Sequence, residues 1–339
     1  MAVPDPIQKL IPLDSPDEWN QALHGIPHSF THTWEHCYAM YLTTGYPTYL
    51  YVVTSGDTRI VCPISERQCG RYVEAVTPLG FSGFTGTGDL PDFPSIWEAF
   101  ARDRGYVTTY VTLNPLFVRP CFANPIFTRQ HNTLYFLDLD TTEEKIFQGF
   151  SAARRRELRR WQESGVSIVT DREILARFFL ENYRGFIRAK GFPSAYDFAE
   201  STVALLLALN QVYVIGASTE SGLQSVLVCC FTPYVADSFL NVSLPDGHKH
   251  VAGLVWHAAR HFRSLRIPKF NLGGGVASNE GVAEAKRRFG AYPTPLKALR
   301  QVVRPAIYRE LCAVAGCSAE SEGYFPPYRQ CAEIGNYHV

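Results

Sequence analysis

The chain has 339 residues, of which 46% are hydrophobic and 19% charged, and its 32 Lys and Arg balance its 32 Asp and Glu. This composition is typical of a globular protein with sizeable cores, and the length suits two domains of about 150 to 170 residues. It excludes an intrinsically disordered chain, and no apolar run reaches the roughly 20 residues that span a bilayer.

The N-terminus and the cysteines both favour a cytoplasmic protein. The opening MAVPDPIQKL lacks the basic-then-apolar order of a signal peptide. The nine cysteines are odd in number and contain no C-x-x-C pair. We therefore expect free thiols rather than disulfides or metal ligands.

The first half of the chain predicts one domain of mixed helices and strands. Its predicted elements are a strand over 7–13, helices over 17–23 and 33–42, strands over 48–54, 59–67 and 72–77, a helix over 94–104 and a strand over 106–113. Thr33 is in the right place to cap the second helix.

A glycine-rich loop, Pro78–Gly88, interrupts this first half. It lacks a following Lys-Ser or Lys-Thr, so it is not a nucleotide P-loop. We expect it to form a floor for an acceptor, with Phe84 as a substrate-binding residue. A plain mobile loop is the alternative.

A basic segment joins the two halves over about 139–165. Ser151 is a plausible helix cap. Arg155 and Arg159 are four apart, as are Arg156 and Arg160. The spacing predicts a helix with a basic face.

The second half repeats the order of the first more clearly. Its predicted elements are a strand over 166–170, helices over 173–190 and 195–209, strands over 211–218, 224–234 and 237–243, a helix over 251–265 and a strand over 269–272. An antiparallel strand run followed by a helical crossover and another strand is the topology of the GNAT acyltransferase fold. We therefore predict an α+β protein of tandem GNAT-like domains.

The stretch Lys269–Arg304 is the most informative part of the chain. Three glycines, Gly273–Gly275, follow a short strand, where the backbone must turn sharply or lie against a ligand. A predicted helix over 280–289 then carries a cationic cluster and ends at Gly290, before a last strand over 294–303. The cluster is Lys286, Arg287 and Arg288.

Net charge is divided unevenly along the chain. Residues 1–150 carry 9 Lys and Arg against 16 Asp and Glu, a net −7, whereas residues 151–339 carry 23 against 16, a net +7. Such asymmetry indicates an anionic partner for the basic half, or ordinary surface variation.

These segments resemble the Fem-type peptidoglycan-bridge aminoacyltransferases and the wider GNAT-fold superfamily. Those proteins contain, in this order, a Gly-Gly pair at a strand end, a short helix and a terminating Lys-Arg-x-Phe-Gly motif. They also contain a basic segment that ends in a pattern like Gly165-Val166-Ser167-Ile168. The Phe30 and Trp34 opening is similar too. The resemblance implies an N-terminal acceptor-side domain over 1–138, a basic helical connector over 139–165 and a donor-side domain over 166–305. Residues 306–339 lie outside the resemblance, and we expect them to form an ordered C-terminal tail.

The resemblance also implies roles for individual residues. Lys286 lies on the family lysine and would meet the developing negative charge. On the predicted fourth strand, Asn241 and Ser243 share one side, which is either the reactive cleft or the wet face of the sheet. The expected donor-binding residues are Arg287, Arg288, Lys249, Gly274 and Gly275. The expected substrate-binding residues are Arg188, Tyr196, Trp34 and Phe84.

The implied function is bacterial, tRNA-dependent transfer of an aminoacyl group from aminoacyl-tRNA to an amine of a small or peptide-like acceptor. No separate cofactor and no metal are expected. Residues 244–254 lack the Gly-x-Gly spacing with which acetyl-CoA enzymes of this fold hold pyrophosphate. Acyl-CoA-dependent transfer is the alternative, and a catalytically silent binding module is another.

Overall fold

The computed structural model describes residues 6–274, 280–321 and 323–334. Its described residues cluster into two compact units, unit 1 within Met1–Pro27, Tyr46–His131 and Leu296–Val339, and unit 2 within His28–Gly45 and Asn132–Pro295. The units differ from the predicted domain ranges, because residues 28–45 cluster with the second half and the end of the chain clusters with the first.

Unit 1 is a sheet with helices. Its strands are β1 (Ile7–Pro12), β2 (Thr48–Ser55), β3 (Thr58–Cys69), β4 (Tyr72–Val76), β5 (Thr85–Gly86), β6 (Tyr106–Leu113) and, from later in the chain, β13 (Tyr292–Val302). Its helices are α1 (Pro16–Leu23), α3 (Phe93–Asp103), α10 (Pro305–Val314) and α11 (Pro327–Ile334).

Unit 2 repeats this construction with more helices. Its strands are β7 (Thr128–Asp138), β8 (Ser167–Val169), β9 (Val212–Thr219), β10 (Gly222–Phe231), β11 (Ala236–Ser243) and β12 (Lys269–Gly274). Its helices are α2 (Trp34–Thr44), α4 (Glu143–Gly149), α5 (Ala152–Glu163), α6 (Arg172–Ala189), α7 (Glu200–Ala208), α8 (Val251–Ser264) and α9 (Glu280–Arg287).

The strands of the two units follow matching orders and directions. In unit 1 the order is β1-β2-β3-β4-β6-β13, antiparallel except for the parallel β4–β6 pair. In unit 2 the order is β8-β9-β10-β11-β12-β7, antiparallel except for the parallel β11–β12 pair. The predicted α+β fold of two repeated domains is therefore confirmed.

Sequence reasoning missed the strand β7, as it missed β5, α10 and α11, and β7 explains part of the difference in domain ranges. Its first half is polar, so it carries no strand-like apolar alternation, and only its second half is buried. It pairs with β12 and completes the sheet of unit 2.

The described residues of the predicted tail, 306–321 and 323–334, pack into unit 1. Tyr308, Cys312 and Tyr328 are buried against Val107. The Tyr328 hydroxyl donates to the fully buried Glu74, and Arg329 lies 3.0 Å from the same carboxylate. A buried carboxylate is stable only with such partners, so α11 is held in place by it.

Candidate active site

The sheet of unit 2 opens between its two parallel strands. β11 and β12 are paired only through Ala236–Phe270 and Asp237–Asn271, near the start of each strand. Beyond these pairs β11 continues to Ser243 and β12 to Gly274 with no further ladder between them in the described residues. Backbone groups on the facing edges are thereby left for a ligand. In unit 1 the matching strands stay paired as far as Val76–Tyr110.

A β-bulge lies at the same place on the other edge of β11. Ser238 pairs with Cys229 and Leu240 with Val228, so Phe239 has no partner on β10. Bulges locally disrupt the ladder and are common next to active sites. The opening and the bulge together mark this part of β11 as a candidate ligand site.

Lys286 lies at this opening. Its Nζ donates a hydrogen bond to the carbonyl of Gly274, the last residue of β12. The ammonium also lies 5.7 Å from the ring centroid of Tyr135. Burial lowers the pKa of Lys286 to about 8, because the cationic form is poorly solvated there.

A buried hydrogen-bond network shapes the end of β12. Asn271 donates from Nδ2 to Asp237 Oδ1 at 2.8 Å, and its own Oδ1 accepts from the Gly273 backbone N–H at 2.9 Å. Gly273 has a φ of 81°, a left-handed conformation that favours glycine. The network therefore fixes the turn that presents the Gly274 carbonyl to Lys286.

Asp237 is the unusual member of this network. Burial raises its pKa to about 6, and the hydrogen bond from Asn271 opposes that shift. Its Oδ2 is buried and has no hydrogen-bond partner in the described part of the chain. A half-satisfied buried carboxylate at a strand opening is a frequent feature of functional sites.

The basic connector helix holds α9 in position. Arg154 is buried, and its Nη2 donates to the Ala285 carbonyl at 3.1 Å. Its guanidinium lies 4.3 Å from the Phe289 ring centroid. The Ser151 side chain caps α5, as predicted, by accepting from Arg154 N at 3.2 Å. The sequence showed Arg154 only as one of a run of arginines, so its role as an anchor for α9 was missed.

Asn241 and Ser243 share one side of β11, but they are engaged with each other and with β10. Ser243 Oγ lies 3.0 Å from Asn241 Oδ1 and 2.7 Å from Ser225 Oγ. Asn241 Nδ2 donates to the Val226 carbonyl at 3.1 Å. They brace the β10–β11 pair beyond the bulge.

The predicted donor-binding residues divide into several groups. Arg288 forms an ion pair of 3.2 Å with Glu284, whereas Arg287 Nη2 donates to the Tyr135 hydroxyl at 3.4 Å. Lys249 is exposed just before α8. Gly274 contributes its carbonyl to Lys286, and a Cβ there would lie 2.7 Å from Asn132 Nδ2. Gly275 lies outside the described residues.

The predicted substrate-binding residues in unit 2 are also dispersed. Arg188 is exposed near the end of α6. Tyr196 is packed between Phe192 and Phe198, and burial raises its pKa. Trp34, at the start of α2, stacks on Tyr38 with ring centroids 4.9 Å apart. None of the three lines the cavity described below.

Phe84 is placed differently from the prediction. It is fully buried in the core of unit 1, with its ring 4.9 Å from Phe93 and 5.2 Å from Trp97. The apolar side chain within a glycine-rich loop serves packing, and no surface of it is exposed to a ligand.

A cavity of about 470 Å³ lies beside the end of β11, against the C-terminal half of α6. Phe186, Val242, Leu244 and Pro245 supply its apolar lining. Its polar lining comes from Glu181, Asn182, Lys190, Ser243 and His248. The volume is in the range of small-molecule sites.

The first turn of α8 is covered by another part of unit 2. Trp161 donates from Nε1 to His250 Nδ1 at 3.1 Å, and its ring lies 2.3 Å from where a Cβ on Gly253 would be. A Cβ on Gly247 would meet the Gln224 carbonyl at 1.9 Å. Both glycines therefore permit close packing within unit 2.

No helix in the described residues is both long and apolar enough to cross a membrane. The same residues contain no cluster of three or more His, Cys, Asp or Glu side chains placed to bind a metal ion.

Comparisons with known proteins show the fold. FemX superposes with a TM-score of 0.67 at 10% identity, over 90% of this chain and 99% of FemX. L-PGS from Bacillus licheniformis gives 0.51 at 15% identity, over 84% and 91% of the two chains. A conserved protein of unknown function from Bacteroides thetaiotaomicron VPI-5482 gives 0.58 at 11% identity, over 88% and 99%.

No family profile matches the sequence, and no curated protein matches it. The structural likeness therefore shows that the chain has the fold of FemX and L-PGS, and the predicted resemblance is confirmed at the level of the fold.

Proposed function

We propose that the protein is an N-acyltransferase that moves an aminoacyl group from aminoacyl-tRNA to an amine. The observation that carries the proposal is the position of Lys286, whose Nζ is held on the Gly274 carbonyl where β11 and β12 part. A partly desolvated cation beside unpaired strand edges is suited to stabilise an oxyanion.

In the proposed reaction the neutral amine attacks the ester carbonyl of the donor. The N–C bond forms, the carbonyl oxygen becomes an oxyanion, and collapse of that intermediate breaks the C–O bond to the ribose. The proton lost by the amine ends on the ribose oxygen that leaves. Lys286 and the backbone N–H groups of the open part of β11 would stabilise the oxyanion.

Two features favour a tRNA donor over an acyl-CoA donor. Trp161 packs over the first turn of α8, where a pyrophosphate would need bare N–H groups. Residues 151–339 carry a net charge of +7, and Arg156, Arg159 and Arg160 are exposed on α5. Exposed arginines along a helix are suited to phosphate contacts.

The test is a turnover assay with purified protein, pools of charged tRNA or pools of acyl-CoA, and a panel of amines, read by mass spectrometry. We expect a new amide product with charged tRNA that requires Lys286. Product with acyl-CoA alone would reassign the donor, and no product from either pool would favour a binding module.

A further inference from the structure

The cavity beside β11 carries charges of opposite sign that the protein does not neutralise. In the part of the chain that the structure describes, neither the Glu181 carboxylate nor the His248 ring has a hydrogen bond or ion pair. In the same described residues the Lys190 ammonium has no hydrogen bond or ion pair, and its Nζ lies 5.9 Å from the centroid of the Phe186 ring. Unpaired charges around an apolar lining are characteristic of a site for a small charged ligand.

The charges lie at opposite ends of the cavity. Since β8, β9, β10 and β11 alternate in direction and α6 returns from the end of β8, α6 and β11 run the same way. Glu181 therefore lies on the side of the Phe239 bulge, where β11 and β12 begin to part, and Lys190 and His248 lie at the end of β11. The nine residues from Glu181 to Lys190 span about 13 Å of helix.

We propose that this cavity binds the acceptor, and that the acceptor is a short peptide or comparable amino acid with its amine and its carboxylate at opposite ends. Glu181 would hold the amine on the side of Lys286, and Lys190 with His248 would hold the carboxylate. The proposal rests on the acyltransferase function proposed above, because it assigns the amine of that reaction.

The dimensions and the lining favour this class of ligand. Each residue of an extended peptide spans at most about 3.3 to 3.6 Å, so a dipeptide separates its ends by about 7 Å. That length, with one side chain reaching in from each end, fits the span along α6. Phe186, Val242 and Leu244 offer apolar contacts to the body of the ligand.

The experiment is calorimetric titration of the full chain, without any donor, with the dipeptide alanyl-phenylalanine. Two further probes are titrated in the same way. The C-terminal amide of the dipeptide lacks the carboxylate, and its N-acetyl form lacks the amine. Glu181→Gln and Lys190→Met remove one charge each. Glu220→Gln and Arg177→Met are controls, because both residues are exposed and neither lines the cavity.

We expect each cavity variant to weaken binding of the dipeptide about tenfold, the effect of losing one charged contact, and the controls to leave it unchanged. Lys190→Met should have no further effect on the amide form, and Glu181→Gln none on the N-acetyl form. This pattern would assign one charge to each end of the ligand.

Absence of binding at millimolar dipeptide, or equal binding of all three probes, would overturn the proposal. Because the titration contains no donor, its outcome is independent of the transfer assay. Dipeptide binding with no amide product from any donor would support the cavity as a dipeptide site and refute the acyltransferase.

Discussion

At the scale of single residues, Lys286 joins the end of β12 to α9 through its hydrogen bond to Gly274. If it meets the oxyanion, Lys286→Ala should lower kcat a hundredfold or more, since losing one such donor costs about 2.7 to 4 kcal/mol. The melting temperature should fall only a few degrees, because an alanine leaves α9 intact. Steady-state kinetics and thermal unfolding check both quantities.

Arg260→Ala is the control for this prediction. Arg260 is exposed on α8 and is paired with Glu143 at 2.7 Å. Surface pairs of this kind contribute little, so this variant should retain turnover. Full activity in Lys286→Ala would move the site away from α9.

The lowered pKa of Lys286 predicts a pH limit on activity. Because the cation is the form that stabilises an oxyanion, turnover should decline as pH rises through about 8. Lys286→Arg should abolish this decline, since a guanidinium stays charged in that range. A pH–rate profile of both proteins checks it, and an unchanged basic limb in Lys286→Arg would exclude Lys286 as its source.

The same pKa has the opposite consequence for stability. Between about 8 and the ordinary value of 10.5 the unfolded chain binds a proton that the folded chain has lost. The free energy of unfolding should therefore gain a favourable contribution from this residue as pH rises through that window. Denaturant titrations of wild type and Lys286→Met should differ in this slope, and identical slopes would refute the lowered pKa.

At the scale of elements, the turn at Gly273 is the feature that aims the Gly274 carbonyl. Gly273→Ala should lower the free energy of unfolding by about 1 to 2 kcal/mol, the cost of a left-handed residue with a Cβ. It should lower kcat as well, because the Asn271-bonded turn presents the partner of Lys286. Chemical denaturation and kinetics measure the two effects.

Gly222→Ala separates strain from function. Gly222 has a φ of 89° at the turn between β9 and β10, and a Cβ there would meet no atom within 4 Å. It should cost similar stability and leave kcat unchanged. Equal losses of kcat in both variants would show that strain alone explains the effect of Gly273.

Most elements were predictable from the sequence because their patterns are local. Thr33, for example, caps α2 by accepting from His36 N at 3.4 Å, as expected. The polar start of β7 concealed that strand, and one predicted connector helix is two, α4 and α5. Phe84 looked available to a ligand only because a loop pattern does not show which side chains pack inward.

The site was less predictable, because it depends on contacts between distant parts of the chain. The Lys-Arg-x-Phe-Gly pattern pointed to Lys286, but no local pattern pairs Asp237 with Asn271. The cavity likewise joins residues 181–190 to residues 242–248. Only the alternation of strand directions brings these segments together.

At the scale of the whole molecule, the uneven charge predicts which donor binds. With a net +7 over residues 151–339 and Trp161 covering the start of α8, we expect salt-sensitive binding of a deacylated tRNA pool and weak binding of acetyl-CoA. In a plot of the logarithm of the association constant against the logarithm of the salt concentration, each phosphate contact contributes roughly −0.7 to −0.9 to the slope. Filter binding over a salt series and calorimetry measure the two affinities.

The exposed arginines of α5 give this expectation a sharper form. Arg155 is engaged with the Gln148 carbonyl at 2.8 Å, whereas Arg156 and Arg160 are exposed. Replacing both Arg156 and Arg160 by Gln should therefore reduce the salt slope by about 1.4 to 1.8. The double control Arg177→Gln with Arg309→Gln changes net charge equally and should not. Micromolar binding of acetyl-CoA with no retention of tRNA at low salt would reverse the assignment of the donor. The net positive charge of residues 151–339 would then not serve to bind a phosphate backbone.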